Sequence, residues 1–426
     1  MRPTTLRSAA AVAAALALGA CAKDPELRLT APAANLAAPF LERYVAIGNS
    51  ITAGYQSGGI NDSTQQRAFP VLLARAAGVD FTYPALAKPG CPAPIADFLT
   101  GARVAASAGQ TVAAAGCYGR QASAQGRPVD NVAVPGANSF DPVGTVQGSG
   151  ASALTAFILG GRTQVQAALE RRPTFVSVWI GNNDVLSFAL AGTRAGVTDS
   201  AAFVANYQRM LSELLAGAPG LKGVLIGVVN VTNAPLAFPL SVINPAATPS
   251  QPAFAYNAQA AAAVQQLLGR PIAFAPNCNT GAPQLAFTAL SQIAAAANAV
   301  LPAGAPFPFV CADIPGVVAK TPGVLSEADR QFFVNRVRGW NAFLRAKADS
   351  IGFAFYDPNS RLDAWRASGQ VPPFPNLAAR TAPFAPYVSN DGVHPSTAAH
   401  VVLAGDLAAV INQKYGSSLP TTIAAP

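Results

Sequence analysis

Charge is scarce in this chain. Only 11% of its 426 residues are Asp, Glu, Lys or Arg, against roughly 25% in an average soluble protein, while 51% are hydrophobic. A chain that stays disordered has the opposite balance, so the material for a large buried core is present. At roughly 150 residues per domain the length allows up to three domains or one enlarged catalytic domain. The formal net charge of +8 sits on scattered Lys and Arg. With no long run of like charge and no basic stretch interleaved with aromatics, nucleic acid is not an expected partner. Histidine occurs only as His394 and His400, which leaves few imidazoles for a metal site or a general base. Glycine and proline number 36 each, below the level of low-complexity sequence; many ordered loops are expected.

The N-terminus is more specific. Met1 to Arg7 carries two arginines and no acid, Ser8 to Ala20 is apolar or small throughout, and Leu18-Gly-Ala-Cys21 closes the segment. The run is 13 residues long, short of the roughly 20 that a membrane-spanning helix needs, and it reads as a signal peptide over 1–20. The segment resembles a bacterial lipoprotein signal. That resemblance implies cleavage before Cys21, lipidation of its thiol, and stable anchoring by two or three acyl chains. Ala22 follows in place of an inner-membrane-retaining aspartate, implying an envelope location at the outer membrane, with residues 21–40 as a tether. The remaining Cys91, Cys117, Cys278 and Cys311 are even in number in an oxidising compartment. Three pairings are open. Cys91 with Cys117 and Cys278 with Cys311 is favoured, since each pair closes a short loop within one loop-rich segment. Metal binding is disfavoured, because none of the four has a Cys-x-x-Cys or nearby His partner.

Short apolar runs ending at or near glycine predict buried parallel strands at Arg43–Ile47, Thr174–Ile180, Gly223–Asn230 and Gly352–Tyr356. Helical patterns separate them at Phe69–Ala77, Asp199–Ala216, Ser326–Ser350 and Ser396–Tyr415, the third opening on Ser326-Glu-Ala-Asp as an N-terminal cap. Alternating strands and helices predict an α/β fold with a parallel sheet covered on both faces. Two stretches exceed a minimal unit, about 58–129 and 233–325. They are read as insertions beside the ligand site in a single domain over 41–420, the second holding helical patterns at Ala253–Leu268 and Pro283–Val300.

Four blocks could carry chemistry. Gly48-Asn-Ser50-Ile-Thr-Ala-Gly54 puts a serine on a turn between strand and helix, at the positive end of a helix dipole; the same serine could serve as a helix cap. It does not match the Gly-x-Ser-x-Gly elbow. Asn131-Val-Ala-Val-Pro-Gly136-Ala offers a glycine whose N–H a ligand can approach closely. Gly181-Asn-Asn183-Asp184 offers a side-chain amide donor after a strand, or an Asn/Asp turn. Ser389-Asn-Asp391-Gly-Val-His394-Pro places a carboxylate three residues before a histidine, where it can fix the ring's tautomer. His400 falls within the last helix and reads as a solvent or packing residue.

Together and in this order the blocks resemble those of the SGNH hydrolases, the GDSL esterase and lipase family. The resemblance implies a three-layer α/β/α, flavodoxin-like fold and acyl transfer with Ser50 as nucleophile, His394 as base and Asp391 as its orienter. The backbone N–H groups of Ser50 and Gly136 and the Asn183 amide would form the oxyanion hole, with no metal or organic cofactor. One departure is Asn49, where the family carries Asp; activity is expected to survive it. The specific content lies in the four blocks, and the insertions carry none of it. The implied function is an envelope-anchored, esterase- or lipase-like serine ester hydrolase acting on lipid or aryl esters. A polysaccharide O-acetyl esterase is the enzymatic alternative, and a noncatalytic envelope lipoprotein keeping the fold is the alternative of another class. The apolar stretches Ala237–Ile243 and Ala305–Val310 are read as acyl-pocket lining or as core.

Overall fold

The structure is a computed structural model that describes residues 38–107, 117–121, 127–144, 151–280 and 283–424. The signal segment 1–20, Cys21 and most of the tether lie outside the described residues.

Four parallel strands, Tyr44–Gly48, Phe175–Trp179, Lys222–Ile226 and Ala354–Tyr356, lie side by side in chain order. The first two are buried at every position, because helices cover both faces; hence their continuous apolar runs. Alternate residues supply two cores. Val45, Ile47, Val176, Val178 and Leu225 meet Val165, Phe203, Tyr207, Val337 and Trp340 on one face. Tyr44, Phe175, Trp179 and Val224 meet Phe69, Leu72, Leu403 and Leu407 on the other. Each such fully buried side chain contributes roughly 1.5–3 kcal/mol, and the result is the expected three layers. The helices concerned are Gln164–Glu170, Ser200–Gly217 and Glu327–Ile351 on the first side, Phe69–Ala77 and Thr397–Tyr415 on the second.

The segment Asp130–Val134 extends this sheet. The Ala46 N–H donates to the Asp130 carbonyl at 2.9 Å, and Val132 and Val134 donate to the carbonyls of Ala46 and Gly48 at 3.0 and 3.1 Å. Counting this segment, the order across the sheet is second, first, third, fourth, fifth, the flavodoxin-like arrangement. The order reverses between Tyr44–Gly48 and Phe175–Trp179, and ligands of such sheets sit at that point, beyond the carboxyl ends of the strands.

Several boundaries differ from expectation. The strand Lys222–Ile226 ends at Ile226 because the Asn341 side chain takes both the N–H and the carbonyl of Val228, at 2.7 and 2.9 Å. The first helical pattern of the second insertion begins only at Ala258, where Asn257 caps the N–H groups of Gln259 and Ala260. Within Pro283–Val300 only Ala289–Val300 is helical. Gln284–Ala286 is instead the middle strand of an antiparallel sheet with Ala237–Pro239 and Val324–Leu325. That sheet belongs to a separate core of Phe238, Leu240, Val242, Leu285, Leu290 and Phe309. Ala237–Ile243 and Phe309 of Ala305–Val310 therefore pack this core rather than lining an acyl pocket.

The disulfides are Cys91–Cys117 and Cys278–Cys311, the favoured pairing. Cys278–Cys311 spans 33 residues of the second insertion, and on chain-entropy grounds closing such a loop is worth about 3–4 kcal/mol. Cys278→Ser/Cys311→Ser is accordingly expected to lower the denaturation midpoint of the second insertion, seen as earlier loss of hydrogen-exchange protection in Ala258–Leu268 than in Ser200–Gly217. Equal protection losses in both helices would show that the bond acts on the whole molecule instead.

Candidate active site

Ser50 directly follows the first strand and its adjoining Asn49, and it opens the short helix Ser50–Ala53. Asn49 is the cap: its side-chain oxygen accepts the Ile51 N–H at 3.2 Å. That task needs an oxygen acceptor, which Asn and Asp both have, so the departure at this position preserves the turn that presents Ser50.

His394 and Asp391 arrive from the loop before the last helix. His394 Nε2 lies 2.8 Å from Ser50 Oγ, and His394 Nδ1 lies 2.7 Å from Asp391 Oδ2. With Nδ1 donating to the carboxylate, Nε2 is left to accept the serine proton. Asp391 and His394 side chains are only 11% and 14% exposed, so solvent screens their interaction little. Burial works against the Asp391 charge, but His394 and the backbone N–H groups of His394 and Val393 outweigh it and hold the carboxyl down to about 2.

The Asp391 carboxylate is unusually well held. Oδ1 accepts from the N–H groups of Val393 and His394 at 2.9 and 2.8 Å and from Ser389 Oγ at 3.3 Å. Oδ2 accepts, besides His394, the N–H of Gly58 at 2.5 Å. Gly58 has φ +66°, a conformation that favours glycine; a β-carbon there would also approach Ile95 to 2.8 Å. Its carbonyl in turn receives Tyr55 Oη and Arg103, each at 2.7 Å. Tyr55 packs on His394 with ring centroids 4.8 Å apart, and burial with the Asp391 charge pushes its phenol up to about 12. Tyr55, Gly58 and Ser389 were not singled out in the sequence. Gly58 and Arg103 belong to the first insertion, which thus lies beside the site and braces the carboxylate, although the family's motifs do not extend into it.

Asn183 lies on the turn Asn182–Asp184 after the strand Phe175–Trp179, and its amide nitrogen donates to the Ala137 carbonyl at 2.8 Å. One of its two N–H groups is used there, and Asn183 lines one small pocket together with Ser50. Gly136, itself exposed and with φ +86°, sits on the turn that Ala137 N–H closes onto the Val134 carbonyl at 3.1 Å. The bond from Asn183 therefore ties together the two turns that were expected to supply oxyanion donors. Their neighbours are pinned as well. Asn182 accepts the Val229 N–H at 2.9 Å. Asp184, whose carboxyl is pushed up by burial, accepts Ser139 N–H and Oγ–H at 2.8 and 2.7 Å. His400 stands apart from this cluster: it is buried, accepts the Phe69 N–H at 3.2 Å and is held down to about 3 by burial. It is a neutral packing residue joining two helices of one layer.

A serine, a histidine and an aspartate in this relay, at the switch point of a flavodoxin-like sheet, define a serine hydrolase site. A model of the GDSL-like lipase/acylhydrolase family matches residues 44–407, and the chain belongs to that family. None of the curated proteins matches it. Among solved structures the chain is similar to an active site mutant of a family two carbohydrate esterase from Clostridium thermocellum in complex with celluohexase. The identity is 13% and the TM-score 0.35, over 89% of this chain and 65% of that one. The chain thus spans less than two thirds of that protein's length.

Proposed function

We propose that the protein is a lipid-anchored esterase of the bacterial envelope that works through an acyl ester on Ser50. The observation that carries the catalytic part is the continuous relay Ser50 Oγ, His394 Nε2, His394 Nδ1, Asp391 Oδ2, with links of 2.8 and 2.7 Å. His394 takes the Ser50 proton as Oγ attacks the ester carbonyl, then hands it to the departing alcohol. Asp391 stabilises the imidazolium and holds its tautomer. The Ser50 and Gly136 N–H groups and the Asn183 amide receive the oxyanion, each such donor being worth roughly 3–4 kcal/mol. Water activated by the same histidine then frees the acid. No step calls on a metal or organic cofactor.

The Leu18-Gly-Ala-Cys21 box and the two internal disulfides support the envelope assignment, since disulfides persist in oxidising compartments. One experiment tests both parts: fluorophosphonate treatment of membranes from cells expressing the full chain, followed by peptide mass spectrometry. The adduct is expected on the Ser50 peptide, and the N-terminal peptide is expected to begin at an acylated Cys21. A folded protein that takes no label, or takes it elsewhere, removes Ser50 as nucleophile; an unmodified Cys21 in the soluble fraction removes the anchor.

A further inference from the structure

Two cavities meet at His394, and they differ in which catalytic groups they reach. The first, ≈ 90 Å³, is lined by Ser50, Asn183 and His394 and is walled by Leu362, Trp365 and Tyr387. Trp365 and Tyr387 are stacked with centroids 4.1 Å apart. The second, ≈ 620 Å³, is lined by His394 and Asp391 but not by Ser50. Its walls come from both insertions: Ile95, Phe98 and Leu99 from one, Leu267, Phe287 and Leu290 from the other.

We propose that this groove holds the alcohol half of the substrate, and that the enzyme hydrolyses short-acyl esters of a bulky apolar alcohol. The inference rests on the serine-esterase reading above and adds which half of the ester is large. The assignment follows from the bonds that change. In the first half-reaction Ser50 Oγ bonds to the carbonyl carbon and its proton passes to His394 Nε2. The carbon–oxygen bond to the alcohol then breaks, and the leaving oxygen takes that proton from Nε2. In the second half-reaction water gives a proton to Nε2 and its oxygen bonds to the carbonyl carbon. The bond to Oγ breaks and Oγ recovers the proton, so that ester and water become acid and alcohol. The acyl group therefore stays in the cavity that Ser50 lines, while the alcohol departs through the one that His394 reaches without Ser50.

Size and polarity give the two halves their character. A cavity of about 150 Å³ just holds benzene, so ≈ 90 Å³ fits an acyl group of about three or four non-hydrogen atoms. The groove is several times larger. Among the described residues its only charged or ionisable groups besides Tyr55 are Asp391 and His394, at the catalytic end. Leu99 and Leu267 remain exposed along it. Thr100, Thr288, Ser291 and Asn390 also line the groove, but most of its wall is aliphatic or aromatic; a glycan would leave many of its hydroxyls there without partners, whereas an alkyl or aryl group buries apolar surface.

The test compares two ester series on the full chain in detergent. In the first, acetates of para-methyl-, para-butyl- and para-octylphenol keep the leaving group's acidity constant while lengthening the alcohol. Each methylene that becomes buried is worth a factor of about four. The expected rise in kcat/KM from methyl to butyl is about tenfold or more. In the second, p-nitrophenyl esters are expected to fall in kcat/KM beyond butanoate. Ser291→Trp, at a groove position, is expected to lower the butyl-to-methyl ratio. A flat first series with a second that rises to octanoate would put the large half on the acyl side and overturn the proposal. No turnover of p-nitrophenyl acetate and no fluorophosphonate label would overturn the esterase reading together with it.

Discussion

Ser50→Ala and His394→Ala are each expected to lower kcat for p-nitrophenyl acetate by roughly 10⁵- to 10⁶-fold, with the double variant losing no more than either alone. The non-additivity follows from the geometry. Ser50 Oγ and His394 Nε2 are 2.8 Å apart, and the nucleophile is formed only as the imidazole takes its proton; removing either partner removes the same event. What remains should be roughly 10³- to 10⁴-fold over water, supplied by the oxyanion donors and by binding. KM should move little, because neither side chain fills the apolar walls of the two cavities. The check is steady-state hydrolysis by the three variants, each shown to be folded by its circular dichroism. A double variant whose loss is the product of the single losses would mean that Ser50 and His394 act independently, against the relay drawn here.

Much of this site is legible in the amino-acid sequence. Two of the four chemical blocks follow a short apolar run, and a buried parallel strand advertises itself by such a run, so Ser50 and Asn183 could be placed at the ends of strands. The pair Asp391 and His394 is local in sequence and needed no long-range information. What the sequence concealed are contacts between distant segments. Gly58 reaches Asp391 across 333 positions, and a lone glycine in a loop carries no mark of the backbone donor it offers. The edge segment Asp130–Val134 is short and runs into Pro135, so its pairing to Ala46 and Gly48 had no pattern of its own. Gln284–Ala286 illustrates a different difficulty. Leu285, Ala286, Ala289, Leu290 and Ile293 continue a helical spacing, yet pairing with Ala237–Pro239 and Val324–Leu325 decides the conformation, because tertiary partners override local preference. The roles of Ala237–Ile243 and Phe309 were open for a related reason: an apolar run looks the same whether it lines a pocket or fills a core.

Asp391→Asn is expected to cost about 10⁴-fold in kcat and to destabilise the protein as well. Both effects come from a carboxylate whose two oxygens are each surrounded by donors. Oδ2 faces the Gly58 N–H at 2.5 Å and His394 Nδ1 at 2.7 Å, and Oδ1 faces the N–H groups of Val393 and His394 at 2.9 and 2.8 Å. An amide has one oxygen. If its NH₂ replaces Oδ2, it meets the Gly58 N–H and forces His394 into the other tautomer, with Nε2–H pointing at Ser50 and unable to take its proton. If the NH₂ replaces Oδ1, the tautomer survives but two backbone donors lose their acceptor, at roughly 1–3 kcal/mol each. Stability should also respond to pH through this one group. Its folded pKa of about 2 lies below the ordinary 3.8, so the ionised carboxylate stabilises the fold above about pH 4. That contribution is lost as pH falls through the folded value; a shift of this size corresponds to roughly 2–3 kcal/mol. Denaturant titrations of wild type and Asp391→Asn between about pH 2 and pH 6 read the difference directly. The gap should be widest near pH 6 and shrink toward pH 2. A pH-independent gap would mean that Asp391 acts through shape alone, and the Nδ1-protonated tautomer would then need another source.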